Sequence, residues 1–186
     1  MTRTTHRGGW IEVITGSMFS GKSEELIRQL RRAQIAKQSV AIFKPKIDNR
    51  YGEDDIVSHN EQRIPSRPVD SPAQILEEAM TADVVGIDEA QFFSDEIIPI
   101  AKELAQSGKR VVIAGLDKDY RGLPFGPMPQ LMAEAEYVTK ALAICMQCGE
   151  PAGFTQRLTK DDQQILIGET DIYEARCRRC YQPPEE

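Results

Sequence analysis

Two glycines, a lysine and a serine near the N-terminus have the spacing of a phosphate-binding loop. In the stretch GSMFSGKS they are Gly16, Gly21, Lys22 and Ser23, which fit the pattern G-x-x-x-x-G-K-[ST]. Such a loop points consecutive backbone N–H groups at a polyphosphate where a helix begins, because the unpaired amides and the helix dipole both favour an anion there. The lysine reaches the outer phosphates, and the serine hydroxyl is a ligand for Mg²⁺. The spacing therefore predicts a polyphosphate site with Mg²⁺.

A pair of neighbouring carboxylates follows an apolar run in the stretch DVVGIDEAQFF. If this run is a strand, Asp88 and Glu89 lie at the carboxyl edge of a sheet, where open α/β sheets bind ligands and where the phosphate loop also leaves its strand. Asp88 then suits the acidic residue that holds Mg²⁺ in phosphate-loop proteins, and Glu89 would orient or deprotonate an attacking group. The alternative is that both carboxylates merely end a strand in solvent.

Four cysteines form two C-x-x-C pairs, CMQC and CRRC, at Cys145, Cys148, Cys177 and Cys180. Two such pairs supply the four thiolates of a tetrahedral structural zinc site, which leaves no position open for catalysis. The 28 residues between Cys148 and Cys177 exceed the usual spacing, so a long loop must leave the metal and return to it. Disulfides are the alternative in an oxidising compartment. A zinc ribbon that reads nucleic acid is the competing use of the metal, although the intervening segment is not basic enough to favour it.

The elements that position these residues alternate between short apolar runs and helical patterns. Five runs read as strands: Trp10–Thr15, Ser39–Lys44, Asp83–Asp88, Arg110–Gly115 and Tyr137–Ile144. Three segments read as helices: Lys22–Lys37, Ser71–Met80 and Asp95–Ser107. Ser71 with Pro72 suits an N-cap followed by proline at the first helical position, and Gly108 stands where a helix C-terminal glycine belongs. This alternation predicts an α/β fold with a mostly parallel sheet.

Composition limits the possible partners. The chain has 186 residues, of which 40% are hydrophobic and 28% are charged, enough for one core and a small appendage. It has no apolar run near the ~20 residues that span a bilayer and no secretory signal in MTRTTHRGGW, so we expect a cytoplasmic protein. A net charge of −6 argues against an extended nucleic-acid surface and favours small phosphorylated partners. Lys37, Lys44 and Lys46 are expected to be solvated.

Taken together, GSMFSGKS, DEAQFF, LDKDYRGLPFG and the two cysteine pairs resemble thymidine kinases of the cellular, zinc-containing type. The resemblance covers nearly the whole chain after residue 9, and its strength lies in the combination, since phosphate loops occur in many proteins. It implies a RecA-like ATP-binding domain over residues 1–143 and a zinc domain over residues 144–186, whose lid loop covers the substrate. It also implies transfer of the γ-phosphoryl group of ATP to the 5′-hydroxyl of thymidine or deoxyuridine, in nucleotide salvage for DNA synthesis.

The resemblance further implies roles for individual residues. Glu89 matches the general base, and Arg50 matches an arginine near the transferring phosphoryl group. Lys22 is implied to bind the outer phosphates of ATP. Binding of ATP and Mg²⁺ is implied for Asp88 and for the loop residues Gly16, Ser17, Met18, Phe19, Ser20, Gly21, Lys22 and Ser23. The nucleoside pocket is implied to contain Met18, Phe92, Leu116, Tyr120, Phe125, Thr155, Leu166 and Tyr173. The implied Zn²⁺ is structural and bound at the four cysteines.

The same resemblance implies a homotetramer and feedback inhibition by dTTP, and the composition predicts no binding to nucleic acid or membranes. We expect the lid to recognise the base through its main chain, so that Gly153–Tyr173 becomes ordered when thymidine or dTTP binds. Two other functions remain open. One is a different phosphate-loop nucleoside or nucleotide kinase, which a panel of nucleosides would separate. The other is a RecA-like protein that grips nucleic acid with its zinc module, which salt-dependent binding to single-stranded DNA would reveal.

Overall fold

The computed structural model describes residues 8–46, 55–57, 63–160 and 170–184. The strands are β1 (Trp10–Gly16), β2 (Val40–Pro45), β3 (Asp55–Val57), β4 (Arg63–Pro65), β5 (Arg67–Val69), β6 (Val84–Ile87), β7 (Arg110–Leu116), β8 (Tyr137–Ala141), β9 (Ala143–Ile144), β10 (Pro151–Ala152), β11 (Phe154–Arg157) and β12 (Tyr173–Arg176). The helices are α1 (Lys22–Ile35), α2 (Pro72–Glu78), α3 (Ile97–Gln106) and α4 (Met128–Glu134), and a 3₁₀ turn spans Ala90–Phe92.

Six strands form the central sheet, in the order β5-β2-β6-β7-β1-β8. Every pairing within it is parallel, which confirms the predicted α/β fold. The five predicted strands correspond to β1, β2, β6, β7 and β8. Because parallel strands run in one direction, the segments that follow β1, β6 and β7 leave the sheet at the same edge. The phosphate loop and the carboxylate pair therefore meet there.

Helices cover both faces of the sheet because its inner strands are apolar on both faces. On one face α1 buries Leu26, Ile27 and Leu30 against β6 and β7. Gly86 in β6 allows this helix to approach closely, since a Cβ atom on Gly86 would lie 2.6 Å from Leu30 Cδ1. The other three helices pack on the opposite face, where α3 contributes Leu104. The sheet thus holds the start of α1 rigidly beside the strand ends.

The helix boundaries follow local sequence signals. Ser71 is the N-cap of α2 with extended backbone, and Pro72 begins the helix, as predicted. Gly108 follows α3 with a φ of 92°, which confirms its predicted place at the helix end. The short helix α4 is absent from the predicted elements, because its seven residues follow a loop rich in glycine and proline that ends at Pro127. Strand β5 was also missed, since it lies in a polar segment rich in turn formers.

The C-terminal part is built from two small sheets. Strand β9 pairs with β10, and β11 pairs with β12, both antiparallel. The predicted strand Tyr137–Ile144 divides at Leu142, so that β8 closes the edge of the central sheet and β9 begins the small module. The predicted boundary after residue 143 stays a prediction. Within the described ranges, no helix has both the length and the apolar composition that a membrane span needs.

Candidate functional site

The phosphate loop joins β1 to α1 at the carboxyl edge of the sheet. Gly16 and Gly21 have φ values of 147° and 82°, which side-chain-bearing residues adopt only with strain. A Cβ atom on Gly16 would also lie 2.2 Å from the carbonyl oxygen of Ala141 in β8. Phe19 takes a φ of 64° in the middle of the loop without being glycine. The path of the loop therefore depends on both glycines at their predicted positions.

Side chains of the loop hold its shape and face the carboxylate pair. Lys22 Nζ donates to the carbonyl oxygen of Ser17 at 2.7 Å, and Ser20 Oγ donates to the same oxygen at 2.8 Å. Ser23 Oγ donates to Asp88 Oδ2 at 3.4 Å, and Asp88 is nearly buried. A hydroxyl and a carboxylate oxygen thus stand side by side at the start of α1. Both are the hard oxygen ligands that Mg²⁺ prefers, so the residues fit this ion.

Glu89 directly follows Asp88 and adopts an unusual backbone conformation. Its φ of 52° and ψ of 41° lie in the left-handed region, and its N–H donates to Asp88 Oδ1 at 2.9 Å. Non-glycine residues enter this region at a cost, and such residues cluster at functional sites. Asp88 and Glu89 have different side-chain partners, Ser23 and Gln91, although they are neighbours in sequence. Their separate predicted roles are consistent with this arrangement.

Gln91 lies in the same turn and was not predicted as a site residue. Its side chain is only 3% exposed, and Oε1 accepts a hydrogen bond from the backbone N–H of Leu116 at 3.0 Å. Its Nε2 group donates to Glu89 Oε2. The signal in the sequence was a polar residue placed between the carboxylate pair and two phenylalanines. Gln91 thus connects the predicted base to the end of β7.

An apolar cluster lies beside the phosphate loop. It is formed by buried Met18, Tyr120 and Tyr173, against which Phe19, Leu116 and Ile172 pack. Four residues of the predicted nucleoside pocket are thus in one cluster. Two others, Phe92 and Phe125, contact each other edge to face with ring centroids 5.7 Å apart. Of the remaining predicted site residues, Leu166 and Arg50 lie outside the described ranges.

Arg157 is a second residue that the sequence did not single out. Its guanidinium carbon lies 3.6 Å from the centre of the Tyr120 ring, and Nη2 donates to Tyr173 Oη at 2.9 Å. The residue is 7% exposed, which is rare for arginine unless it is paired. A planar cation over an aromatic face is favourable, and more so when water is excluded. Arg157 therefore connects the paired strands β11 and β12 to Tyr120.

The C-terminal module contacts the phosphate loop directly. Thr155 Oγ1 accepts a hydrogen bond from the Met18 N–H at 3.1 Å, and Ser17 Oγ donates to the carbonyl oxygen of Ala152 at 3.5 Å. The Phe19 side chain packs against the apolar core of the module. Thr155 was predicted only as a pocket residue, and the structure places it against the loop. The central part of the predicted lid, residues 161–169, lies outside the described ranges.

The four cysteines gather at one point of the module. Their Sγ atoms lie within 4.8 Å of one another, and Cys148 Sγ is 3.6 Å from Cys177 Sγ. Sulfurs bound tetrahedrally to zinc at about 2.3 Å stand about 3.8 Å apart, so the donor set fits this metal. Burial opposes ionisation of the Cys145 thiol, but hydrogen bonds from the backbone of Cys177, Gln147 and Cys148 outweigh it and lower its pKa to about 6. Hydrogen bonding to Cys148 raises the pKa of Cys180 to about 12, because four adjacent sulfurs do not all ionise without a cation.

One expectation about surface charge is wrong. Lys44 was predicted to be solvated, but it is 4% exposed. It lies near the end of β2, which pairs with β5 on one side and with β6 on the other. The neighbouring Lys46 does lie at the surface, where it pairs with Asp70 at 2.6 Å. The single lysine after the apolar run VAIF did not reveal in the sequence that this end of β2 is buried.

Comparison with known proteins gives a consistent result. The sequence profile of the thymidine kinase family matches residues 9–181. A thymidine kinase from Rhodothermus sp. (strain ITI 518) is 61% identical over 176 residues, which cover 95% of this chain and 83% of the relative. A thymidine kinase from Bacteroides thetaiotaomicron is 58% identical over 177 residues, covering 95% of this chain and 89% of the relative. A thymidine kinase from Bacteroides fragilis is 57% identical over 178 residues, covering 96% and 89%.

Proposed function

The chain belongs to the thymidine kinase family, and from this premise we propose that it transfers the γ-phosphoryl group of ATP to the 5′-hydroxyl of thymidine. The products are dTMP and ADP, in pyrimidine deoxynucleotide salvage for DNA synthesis. One observation carries the proposal beyond family membership. Ser23 Oγ lies 3.4 Å from Asp88 Oδ2, which brings the start of α1 to the turn that holds Glu89. The proposed phosphate site and the proposed general base, Glu89, are therefore next to each other.

The phosphate loop suits the triphosphate of ATP. Its backbone N–H groups and the N-terminus of α1 favour an anion, and Lys22 exchanges its contact with the Ser17 carbonyl for the outer phosphates. Ser23 and Asp88 would hold Mg²⁺, directly or through water. When bound, this ion neutralises charge on the phosphates. Phosphoryl transfer needs positioning and charge stabilisation more than covalent chemistry, and these residues provide both.

Glu89 is proposed as the general base for the 5′-hydroxyl. The hydroxyl proton passes to the Glu89 carboxylate while its oxygen bonds to the γ-phosphorus, and the bond to the β-phosphate oxygen breaks to release ADP. The resemblance assigns Arg50 to the transferring group, and this role stays a prediction. The left-handed backbone at Glu89 supports a functional role, since non-glycine residues in this region cluster at functional sites.

The apolar cluster of Met18, Leu116, Tyr120 and Tyr173 is proposed to contact the pyrimidine. A flat base needs an apolar slot whose polar edge is matched by hydrogen bonds. The 5-methyl group of thymine contributes only ~1–3 kcal/mol to discrimination, so deoxyuridine should also react. A base with the wrong donor pattern leaves buried groups unpaired, so cytidine and purine nucleosides should be poor substrates.

The family resemblance also supports a homotetramer, feedback inhibition by dTTP and a cytoplasmic location, and these remain predictions. Direct contacts of the nucleoside with Phe92, Phe125 and Thr155 also remain predictions. The four-cysteine cluster supports a structural zinc ion that holds the C-terminal module together.

The proposal is tested with purified protein, Mg·ATP and a panel of nucleosides. Thymidine and deoxyuridine should give monophosphate and ADP, whereas preference for another nucleoside would favour a different kinase of the same loop type. Lys22→Ala should abolish turnover while circular dichroism and melting stay close to the parent. Lys102→Ala, in α3 on the opposite face of the sheet from α1, removes only a half-exposed pair with Glu134; it is the matched control and should retain full activity. A fully active Lys22→Ala protein would exclude the phosphate-loop assignment.

A further inference from the structure

Lys44 is a buried cation near the carboxyl edge of the central sheet. It is 4% exposed and precedes Pro45, the last residue of β2. Because the strands of this sheet are parallel, β2 ends at the same edge as the phosphate loop and the carboxylate pair. Lysine is almost never buried unless it is paired, since an ammonium group loses its hydration there. Its burial at this edge therefore points to anionic surroundings.

The alternation of side chains along β2 places Lys44 on the face of the sheet that α1 covers. Ile42 belongs to the apolar cluster beneath α1, whereas Phe43 belongs to the cluster on the opposite face. Successive side chains of a strand point to opposite faces, so Lys44 shares the face of Ile42. The helix α1 begins at the carboxyl edge, immediately after the phosphate loop. Lys44 therefore lies on the side of the sheet where this loop delivers its phosphates.

Asp88 is the neighbour of Lys44 on the adjacent strand. Phe43 in β2 pairs with Ile87 in β6. The Asp88 N–H donates to the Phe43 carbonyl oxygen at 2.9 Å, so the two chains stay paired beyond Ile87. Lys44 and Asp88 are the next residues of these two chains, and paired strands lie about 4.8 Å apart. The lysine and the aspartate therefore stand side by side.

The side chain of Asp88 also lies on the α1 face. Gly86 in β6 faces Leu30 of α1, and Asp88 follows two residues later, which returns to the same face. The contact of Asp88 Oδ2 with Ser23 Oγ at 3.4 Å agrees with this direction. Lys44 is thus placed beside the two oxygen groups that are proposed to hold Mg²⁺.

Lys22 and Lys44 approach this region from opposite sides. The order of the sheet is β2-β6-β7-β1, so Asp88 at the end of β6 lies between Lys44 and the strand that carries the phosphate loop. The loop holds the inner phosphates of a bound triphosphate, and Mg²⁺ bridges the outer two. A cation on the far side of the Mg²⁺ site is therefore nearest to the terminal phosphate. The flexible four-carbon stem of lysine suits such a reach.

We propose that Lys44 is a second phosphate-binding cation, which contacts the γ-phosphoryl group of ATP from the side of β2. The proposal rests on the proposed function, because it takes Mg·ATP as the donor. A cation that is already in place stabilises charge on the transferring group without reorganisation. After transfer the phosphoryl group belongs to dTMP, and ADP no longer has this contact. Lys44 therefore distinguishes ATP from ADP.

A purely structural role for Lys44 has a different signature. If its ammonium group only balanced the charge of Asp88, its loss would act through the Mg²⁺ site. Mg²⁺ accompanies both ATP and ADP, so both nucleotides would then bind more weakly by a similar factor. The ratio of the two affinities consequently separates contact with the γ-phosphoryl group from support of Asp88.

The test is calorimetric titration with Mg·AMP-PNP, a non-hydrolysable analogue of ATP, and with Mg·ADP, both without thymidine. Lys44→Met keeps the apolar stem but removes the charge. Its affinity for AMP-PNP should fall about ten- to a hundredfold, the range for one hydrogen bond to a charged group. Its affinity for ADP should change less than about threefold. Equal losses for the two nucleotides, or no loss for either, would overturn the proposal.

Two further variants control for effects on folding and on surface charge. Lys44→Gln retains a polar group in the buried site and should show the same selective loss, with a melting temperature close to the parent. Lys46→Met removes a lysine two residues along the chain, which is half exposed and pairs with Asp70 at 2.6 Å. It should leave both affinities unchanged. A selective loss of AMP-PNP in Lys46→Met as well would reduce the effect to general charge and contradict a specific contact by Lys44.

The same titrations with Lys22→Ala tell the two possible failures apart. Lys22→Ala should weaken the binding of both nucleotides, because the lysine of the loop serves the β- and γ-phosphates. If it binds both as the parent does, the phosphate-loop assignment in the proposed function is wrong. If Lys22→Ala loses both nucleotides while Lys44→Met keeps parental affinity for both, the inference about Lys44 is wrong and the proposed function stands.

Discussion

Asp88 and Glu89 show how neighbouring carboxylates acquire different surroundings. Asp88 is nearly buried and lies within reach of the Ser23 hydroxyl, on the side of α1. Glu89 has a left-handed backbone, and its carboxylate accepts a hydrogen bond from Gln91. The sequence predicted both carboxylates at the sheet edge. It did not predict the turn that separates them, because φ depends on the packing of the following residues.

Removal of the proposed base should affect the chemical step. Glu89→Gln keeps the shape of the side chain, and kcat should fall by about 10²–10⁴ while thymidine affinity changes much less. Steady-state kinetics combined with calorimetric titration of thymidine measure both quantities. Glu96→Gln, at the exposed start of α3, is the control and should behave like the parent. Unchanged kcat in Glu89→Gln would mean that Glu89 has a structural role only.

At the scale of elements, long apolar runs and clear helix-start signals were predictable, whereas elements among prolines and polar residues were not. The long apolar strands and the helices α1, α2 and α3 were predicted close to their observed places. Helix α2 has only seven residues, as α4 does, but Ser71 and Pro72 mark its start. Helix α4 was missed because it follows a loop rich in glycine and proline. Strand β5 was missed because its three residues lie in a polar segment. Gln91 and Arg157 were missed for a different reason. A buried polar side chain is recognised by its partners, which come from distant parts of the chain.

The contact between β11 and the phosphate loop is testable at Thr155. Thr155→Val is nearly isosteric but removes the acceptor of the Met18 N–H, leaving a buried donor unpaired at a cost of about 1–3 kcal/mol. We expect a lower melting temperature and a raised KM for ATP, because the loop loses one support. Thr139→Val on the exposed strand β8 provides the comparison. Unaltered melting and KM would show that the contact does not support the loop.

The β11–β12 hairpin depends on the stacking of Arg157 on Tyr120. Arg157→Lys keeps the charge but loses the planar group and the donor to Tyr173, with a loss of about 0.5–2 kcal/mol. The KM for thymidine should therefore rise several-fold, and kcat should change less. Arg32→Lys on the exposed face of α1 should have no effect. Equal KM values in the two variants would contradict a role for Arg157 in shaping the pocket.

At the scale of the whole molecule, the C-terminal module and the sheet are joined at several points. The module contacts the phosphate loop through Thr155 and the core around Phe19. It also contacts Tyr120, because Tyr181 Oη donates to the Tyr120 carbonyl at 2.7 Å. Within the module, the Tyr181 ring stacks on Phe154. A metal that stabilises the module should therefore influence the active site from a distance.

Zinc removal should demonstrate this connection. We expect close to one Zn²⁺ per chain by elemental analysis, and its removal should expose the module to proteolysis and lower activity. Assays in excess Mg²⁺ ensure that only zinc is limiting. Cys177→Ser should reproduce the loss of zinc, whereas Ser107→Ala, remote from the cysteines, should not. A zinc-free preparation with full activity and unchanged protease resistance would contradict the structural role of the metal.

The position of β1 determines when the phosphate loop can reach its folded form during translation. This first strand pairs on one side with β7 and on the other with β8, which the ribosome makes much later. Gly16 also packs against the Ala141 carbonyl at the end of β8. Pairings so distant in sequence form slowly, and they cannot form until both strands have been synthesised. A nascent chain that ends before Ala141 should therefore fail to retain nucleotide, even though its entire phosphate-loop motif emerged first.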